Sequence, residues 1–249
     1  MKIIGIIPAR FQSSRFPGKP LADIKGKSMI RRVYEGTKTS DKLADVWVAT
    51  DSDKIFDHVI DFGGKAVMTS ETHRSGTERC AEALQRIEQQ TKNLFDVVIN
   101  IQGDEPLIGH EQIDQLAGCF DEPAVQIATL AKTIRDEDEL FNPNVVKVVV
   151  NRAGLALYFS RSTIPYSRSK AQEDWLKNHE YLKHIGMYAY QKEVLVKIAN
   201  LEKSALESCE SLEQLRWLDH GFGIRVVLTG YESLGVDLPS DIEKIINKI

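Results

Sequence analysis

Residues 3–21 read IIGIIPARFQSSRFPGKPL, a short apolar run that opens directly into a basic loop. The run at 3–7 is apolar on both faces, which is typical of a central strand in a sheet covered on both sides. The loop after it carries Arg10, Arg15 and Lys19 and is stiffened by prolines. Cations just past the carboxyl end of a buried parallel strand lie where open α/β sheets bind ligands. The stretch therefore predicts an anion-binding loop at the end of the first strand.

The charge of this loop contrasts with that of the whole chain. Residues 10–32 contain seven Lys and Arg side chains and one acid, Asp23, whereas the formal net charge of the chain is -4. Arg presents a planar fork of donors and Lys a compact charge, and together they suit a polyphosphate. A solvated basic surface loop is the alternative interpretation.

Length and composition describe an ordinary globular protein. The 249 residues are 42% hydrophobic and 27% charged, enough apolar material for a core. No apolar run approaches the ~18 residues of a membrane span, and the apolar N-terminal run is too short for a signal peptide. Cys80, Cys119 and Cys209 have no metal-binding spacing and favour a reducing cytoplasm. A pI near 5.9 argues against nucleic acid, so we expect neither nucleic acid nor membrane as a partner.

Strand-like and helical stretches alternate through the first half of the chain. Ser75 and Glu78 have capping-box spacing and mark a helix start. Alternation of this kind predicts βαβ units, and hence an α/β fold with a Rossmann-like, mainly parallel central sheet. The predicted strands are 3–7, 46–49, 66–68, 97–101, 127–130 and 145–150, and the predicted helices are 29–39, 54–62 and 77–89 (with Cys80, Ala81, Leu84 and Ile87 on the apolar face).

The alternation changes after residue 150, which predicts a small mixed extension. We expect one domain over 1–249, with a nucleotide-binding half of about 1–130 and an extension of about 131–220, after which a C-terminal strand and helix return to the core. The predicted elements are a hairpin of 145–150 with 155–159, a polar loop at 167–178 that is either a lid or an inert surface loop, a strand at 181–190, one helix at 206–220, a strand at 224–228 and a short helix opening at Pro239.

Two acidic positions are candidates for holding a hard cation. Asp104 follows the apolar run at 97–101, and Asp237 lies between the last predicted strand and the last helix. Mg²⁺ typically keeps one or two protein carboxylates together with substrate phosphate oxygens. A simple turn is the alternative interpretation of the sequence at Asp104. Motifs of zinc peptidases, serine hydrolases, P-loops and dinucleotide-binding folds are absent from the sequence.

A series of ordered motifs resembles the sugar-acid cytidylyltransferase family over essentially the whole chain. The motifs are PARFQSSRFPGKPL at 8–21, SGTER at 75–79, QGDEP at 102–106, FNPNVVKVV at 141–149, ALYFSRSTIPY at 156–166, LEQLR at 212–216 and GVD at 235–237. The resemblance implies a nucleotidyltransferase or glycosyltransferase-A-like fold, a cytoplasmic homodimer and a role in lipopolysaccharide biosynthesis.

The resemblance also implies a set of site residues. Arg10, Arg15 and Lys19 would hold the triphosphate of CTP, and Asp104 and Asp237 would hold Mg²⁺; these five are the implied catalytic residues. The implied nucleotide-binding residues are Pro8, Ala9, Arg10, Arg15, Lys19, Arg74 (where the family carries Gln), Ser75, Gly76 and Gln102. The implied sugar-binding residues are Gln102, Arg168, His184, Tyr188, Glu213 and Gln214.

The sugar-binding positions have structural alternatives. Glu210, Glu213 and Gln214 are spaced to share one face of the predicted helix at 206–220, with Leu212, Leu215 and Leu218 on the buried face. Without the resemblance, the preferred interpretation of Glu213 is a solvated surface acid, and that of His184 is a core or surface histidine.

The implied reaction is nucleotidyl transfer. The anomeric 2-hydroxyl of a 3-deoxy-octulosonic acid attacks the α-phosphorus of CTP in line, and pyrophosphate leaves. The sialate-activating branch carries a QPTSP-like string where this chain has QGDEP, which favours 3-deoxy-manno-octulosonate (Kdo). The alternatives are 8-amino-Kdo, sialic acid, or a non-catalytic nucleotide-binding regulator, against which the intact Lys19, Asp104 and Asp237 argue.

Overall fold

The computed structural model describes residues 1–13, 15–232 and 234–249. These residues form two compact units. The first unit contains residues 1–118 and 187–199 and the C-terminal residues from 234 onward, and the second contains 119–186 and 200–232. Each unit is therefore built from segments that are distant in sequence.

The chain alternates short strands and helices throughout. The strands are β1 (Ile3–Ala9), β2 (Asp23–Ile24), β3 (Lys27–Ser28), β4 (Leu43–Thr50), β5 (Ala66–Met68), β6 (Val97–Asn100), β7 (Ile127–Thr133), β8 (Lys147–Val150), β9 (Ala156–Ser160), β10 (Leu182–Gln191) and β11 (Ile224–Leu228). The α-helices are α1 (Met29–Thr37), α2 (Asp53–Asp61), α3 (Gly76–Thr91), α4 (His110–Gly118), α5 (Glu137–Phe141), α6 (Trp175–Asn178), α7 (Lys192–Ala199), α8 (Ala205–Glu210), α9 (Gln214–Asp219) and α10 (Asp241–Ile246). Short 3-10 turns cover Lys19–Leu21, Cys119–Asp121 and Gln172–Asp174.

The sheet of the first unit is parallel around its central strand. β1 pairs in parallel with β4 and with β6, and β5 extends the sheet beyond β4. The second half of β10 adds antiparallel to β6, with Tyr188 opposite Asn100. The isoleucines of β1 are almost fully buried, because α1 and α3 both pack against this strand. The predicted α/β fold with a mainly parallel central sheet is confirmed.

Helix α3 begins with a modified capping box. Ser75 Oγ accepts from the backbone N–H of Glu78 at 3.2 Å, as the spacing predicts. The Glu78 carboxylate, however, accepts from the N–H of Arg74 at 2.9 Å, one residue before the position that a standard capping box uses. The buried face of the helix contains Cys80, Ala83, Leu84 and Ile87, so Ala83 replaces the predicted Ala81.

The second unit contains the predicted hairpin and a parallel strand pair. β8 and β9 pair antiparallel, and the turn between them places Gly154 at a φ of 73°, where a glycine is favoured. β8 also pairs with the first half of β10. β7 and β11 are parallel, with Ile127 opposite Ile224. The last strand thus belongs to the second unit, whereas α10 belongs to the first.

The prediction of one helix over 206–220 is wrong. The chain forms α8 and α9, and between them Ser211 takes a left-handed φ of 52°. The Arg161 guanidinium caps the end of α8, since its Nε donates to the carbonyl oxygen of Glu210 at 2.7 Å. Glu210 and Glu213 therefore do not share a helix face.

Two further predictions need correction. The segment at 167–178 is not loop throughout, because it includes a 3-10 turn and α6. Trp175 is only 2% exposed and stacks against Tyr181 at a ring distance of 6.2 Å, so this half of the segment is anchored in a small core. The last helix begins at Asp241, two residues after Pro239.

Within the described ranges, no helix combines the length and apolarity needed to cross a membrane. Cys80, Cys119 and Cys209 form no disulfide within the part of the chain that the structure describes.

Candidate active site

A pocket of about 460 Å³ opens in the first unit at the carboxyl ends of β1 and β6. Its size is within the range of small-molecule sites. It is lined by Pro8, Ala9, Arg10, Gln12, Ser13, Arg15, Lys19, Pro20, His73, Ser75, Gly76, Arg79, Gln102, Gly103, Asp104 and Asp237. The basic loop that follows β1 therefore faces a concave site.

The basic loop is closed on itself by backbone hydrogen bonds. The N–H of Gly18 donates to the carbonyl oxygen of Phe11 at 2.9 Å, and the N–H of Leu21 donates to Gly18 at 2.9 Å. Gly18 has a φ of 71°, a backbone conformation that favours glycine. This closure presents Lys19 at the start of a 3-10 turn beside the pocket.

Lys19 lies between two carboxylates. Its Nζ donates to Asp104 Oδ2 at 2.8 Å and to the carbonyl oxygen of Val236 at 2.7 Å. The same nitrogen is 4.0 Å from Asp237 Oδ1, and the Lys19 side chain is only 16% exposed. Arg15, which is more exposed, adds a 3.0 Å ion pair with Asp237.

The two carboxylates come from loops that are hydrogen-bonded to each other. The N–H of Val236 donates to the carbonyl oxygen of Asp104 at 2.9 Å, which joins the GVD segment to the turn after β6. That turn needs Gly103, because a Cβ there would lie 2.9 Å from the carbonyl oxygen of Pro8. The backbone thus brings Asp104 and Asp237 to one side of the pocket, where Lys19 Nζ reaches both.

The residues present fit a magnesium ion that enters with nucleotide phosphates. Among residues 1–13, 15–232 and 234–249, no cluster of three His, Cys, Asp or Glu side chains could hold a metal by itself. Asp104 and Asp237, however, supply two hard oxygen donors that converge on a single cation, the Lys19 ammonium. Mg²⁺ is commonly held by one or two carboxylates, with phosphate oxygens and water completing its coordination.

The start of α3 forms another wall of the pocket. A Cβ at Gly76 would lie 3.4 Å from both Asn100 Nδ2 and Pro8 Cγ, so the start of α3 lies against the ends of β6 and β1. Ser75 and Gly76 both line the pocket at the N-terminus of this 16-residue helix. Arg74 is exposed and is not among the residues that line the pocket.

Sequence reasoning missed two side chains of this wall, His73 and Arg79. His73 forms a short hydrogen bond with Glu82. Arg79 is 4% exposed and forms a 2.6 Å ion pair with Asp51. A signal was available for Arg79, since it lies one helical turn before Ala83 and so falls near the buried face of α3. The other missed lining residues are Gln12, Ser13, Pro20 and Gly103.

The predicted sugar-binding residues are divided between the units. Gln102 lines the pocket of the first unit. Tyr188 belongs to the same unit but does not line the pocket; it is buried on β10 and stacks on Tyr190 at a ring distance of 6.0 Å. In the second unit, Arg168 is exposed ahead of the Gln172–Asp174 turn and Gln214 is buried at the start of α9.

His184 is a neutral histidine in the second unit. Its Nε2 lies 3.0 Å from Thr129 Oγ1, and its ring meets Phe159 edge-on at 5.0 Å. Burial lowers the pKa of His184 to about 3. The imidazole therefore offers one donor and one acceptor at neutral pH and does not carry a charge.

Glu213 belongs to a charged cluster around Arg216. It accepts a hydrogen bond from Arg216 Nη2 at 2.8 Å, and the Arg216 side chain is only 7% exposed. Arg216 also lies 3.4 Å from the Glu207 carboxylate and donates to the carbonyl oxygen of Leu201 at 3.0 Å. The Glu213 carboxylate thus neutralises a buried cation, rather than standing alone in solvent.

The chain is similar to known proteins over nearly its whole length. The family model described as Cytidylyltransferase matches residues 4–227. The chain is 55% identical over 248 residues to the 3-deoxy-manno-octulosonate cytidylyltransferase of Parabacteroides distasonis, covering 98% of this chain and 96% of that protein. It is 52% identical over 246 residues to the protein of the same name from Cytophaga hutchinsonii, with coverages of 98% and 96%.

A solved structure is similar over the full length. The structure of CMP:2-keto-3-deoxy-manno-octonic acid synthetase complexed with CTP superposes with a TM-score of 0.91 at 44% identity, covering 100% of this chain and 98% of that chain.

Proposed function

The chain belongs to the cytidylyltransferase family, and from that membership we propose that it activates Kdo with CTP to give CMP-Kdo and pyrophosphate. Relatives that are 52–55% identical over nearly the whole chain carry the name of this reaction. The similar solved structure has CTP bound. The substrate pair is thus CTP and a 3-deoxy sugar acid.

One observation in the structure carries the proposal. Lys19, Arg15, Asp104 and Asp237 form a compact group of two cations and two carboxylates in a pocket at the carboxyl ends of parallel strands. Such an arrangement suits a nucleoside triphosphate with its cation, because the Lys and Arg bind phosphate oxygens while the carboxylates bind the metal. A pocket for a neutral ligand would not need this concentration of charge.

The basic side chains act on the triphosphate. Lys19 and Arg15 exchange their carboxylate partners for phosphate oxygens, and exposed Arg10 adds a third cation at the pocket edge. The Kdo 2-hydroxyl oxygen forms a bond to the α-phosphorus as the bond to the β-phosphate bridging oxygen breaks, and the hydroxyl proton passes to water. Negative charge grows on the departing pyrophosphate, so fixed cations beside it lower the barrier.

We also propose that the reaction depends on magnesium. Asp104 and Asp237 would hold the Mg²⁺, which would supply charge that neutralises the phosphates and lowers the pKa of the attacking hydroxyl. The backbone of the loop that carries Asp237 is held in place, since Asp241 accepts hydrogen bonds from the N–H groups of Asp237 and Leu238 at 3.1 Å and 2.9 Å.

Two properties beyond the reaction are further proposals. A homodimer is the first, and it rests on the resemblance of the sequence to its family. A cytoplasmic location in lipopolysaccharide biosynthesis is the second, and three cysteines without a disulfide among the described residues agree with it, because disulfides are rare in reducing compartments. Light scattering coupled to gel filtration measures the mass of the particle and tests the dimer.

The experiment that tests the reaction is an assay of phosphate products. Purified protein with CTP, Kdo and MgCl₂ should release pyrophosphate and no inorganic phosphate, and chelation by EDTA should stop the release. Inorganic phosphate with CDP as the product would contradict attack at the α-phosphorus. Full activity in EDTA would contradict the magnesium proposal alone.

A further inference from the structure

Arg79 is a buried cation at the wall of the pocket that the proposed reaction leaves without a role. Its Nη2 donates to Asp51 Oδ2 at 2.6 Å and its Nη1 to Thr69 Oγ1 at 2.6 Å. Asp51 follows β4 and Thr69 follows β5, so a side chain of α3 ties together the ends of two parallel strands. A buried ion pair often contributes no more to the free energy of unfolding than apolar residues of the same size would. A gain in stability alone therefore does not explain why Arg79 and Asp51 stand here.

Two acidic side chains in the first turns of α3 also bond to the segment that precedes this helix. We call residues 69–75 the entry segment, because they connect β5 to α3. Glu82 accepts from the N–H of Ser70 at 2.8 Å and from the His73 ring, and Glu78 accepts from the N–H of Arg74 at 2.9 Å. Together with the Arg79 bond to Thr69, these contacts fix the entry segment at four positions, which are 69, 70, 73 and 74.

The entry segment delivers part of the pocket wall. His73 and Ser75 line the pocket, and Gly76 follows at the first position of α3. The N–H of Arg79 donates to the carbonyl oxygen of Ser75 at 3.3 Å, which is the helical backbone bond that joins α3 to the last residue of the segment. A wall that is fixed before the ligand arrives spares the binding step the cost of ordering it.

We propose that Arg79 is a positioning residue for the nucleotide: through Asp51 and Thr69 it holds the entry segment so that Ser75 and Gly76 meet CTP in a fixed arrangement. The inference rests on the proposed function, because it takes CTP as the ligand of the pocket. Arg79 then sets the affinity for CTP and leaves the affinity for Kdo and the rate of the chemical step unchanged.

The test compares three variants by calorimetric CTP binding, steady-state kinetics and thermal unfolding. Arg79→Met should raise the Kd and KM of CTP at least tenfold, while kcat and the KM of Kdo stay within threefold. Asp51→Asn, which leaves Arg79 in place without its partner, should raise the CTP Kd in the same direction. The double variant Asp51→Asn with Arg79→Met should recover Tm, since no unpaired charge remains buried, but should keep the high CTP Kd.

A matched control lies at the other end of the same helix. Glu88 pairs with Lys192 Nζ at 2.7 Å, and the two side chains are 12% and 28% exposed. Lys192→Met should lower Tm without changing CTP binding. If Arg79→Met does not fold, Arg79→Lys and Thr69→Val carry the same comparison.

Several results would overturn the inference. If Asp51→Asn leaves the CTP Kd unchanged while Arg79→Met raises it, Arg79 acts on the nucleotide directly. If CTP affinity recovers with Tm in the double variant, or falls equally in Lys192→Met, the ion pair is only structural. Failure of the proposed function looks different, because the unaltered protein would then not bind CTP at all.

Discussion

Replacement of Lys19 by methionine isolates the contribution of its ammonium group. Methionine keeps an unbranched apolar side chain in the same space but removes the charge that lies 2.8 Å from Asp104 and 2.7 Å from the carbonyl oxygen of Val236. Only 16% of the Lys19 side chain is exposed, so little water is available to replace the ammonium beside the departing pyrophosphate.

The magnitude follows from the kind of interaction that is lost. A fixed donor aimed at charge that develops in the transition state contributes ~3 kcal/mol, which corresponds to a fall in kcat of about 10²-fold. The unfolding free energy should change by ~1 kcal/mol or less, because Asp104 is itself 34% exposed and can be solvated.

Pyrophosphate release at saturating CTP and Kdo measures this effect, and urea unfolding checks the fold. Lys27→Met is the matched control, since Lys27 belongs to the same basic stretch but pairs with Glu35 at 2.6 Å outside the pocket. A Lys19→Met enzyme whose kcat stays within about threefold of the unaltered protein would refute the assigned role.

Three other substitutions test separate parts of the account. Asp237→Asn should abolish magnesium-dependent turnover while calorimetric CTP binding persists, because an amide is a poor magnesium ligand and because loss of the carboxylate also releases Arg15 from its ion pair. Normal activity at limiting Mg²⁺ would show that the metal lies elsewhere. Arg168→Ala should raise the Kdo KM at least tenfold and leave the CTP KM within about threefold, since one charged hydrogen bond contributes ~1.5–3 kcal/mol; equal changes in both KM values would remove Arg168 from the sugar site. In the unfolded chain His184 takes up a proton near pH 6.5, whereas in the folded chain it takes one up only near pH 3, so the free energy of unfolding falls as pH falls between these values. His184→Gln should therefore flatten the pH dependence of stability between about 3 and 6.5. Urea unfolding at several pH values measures that slope, and an unchanged slope would contradict a neutral His184.

The first strand and its loop were predictable because their determinants are local. An apolar run on both faces specifies a covered strand, and the sequence after it concentrates charge where parallel sheets bind ligands. The bonds that join Lys19 to Asp104 and Val236 were not predictable, since they span 85 and 217 positions of sequence. The family resemblance, rather than any spacing, brought these residues together.

The errors in the second half of the chain have tertiary causes. The residues at 206–220 are all compatible with helix, but Arg161 takes the carbonyl oxygen of Glu210 and the chain turns at Ser211. The polar composition of 167–178 likewise gave no sign that this segment is packed against the core, which it is through the buried side chain of Trp175. Long-range contacts, which local sequence does not encode, accompany the departure from the expected local structure in each case.

Arg79 was missed for a related reason. Its motif was recognised, but a charged residue beside a helix start is usually solvated, and only the positions of Asp51 and Thr69 reveal its burial. Sequence periodicity places Arg79 near the buried face of α3, yet it does not identify what the side chain meets there.

The most direct test of the account is a competition of substrates in one reaction. The protein is incubated with MgCl₂, all four ribonucleoside triphosphates, and equal concentrations of Kdo, 8-amino-Kdo and sialic acid, and the products are identified by mass spectrometry. We expect CMP-Kdo to be the main product. A CMP-sialate or CMP-8-amino-Kdo product in excess would contradict the substrate, and the absence of any nucleotide-linked sugar acid would contradict the reaction.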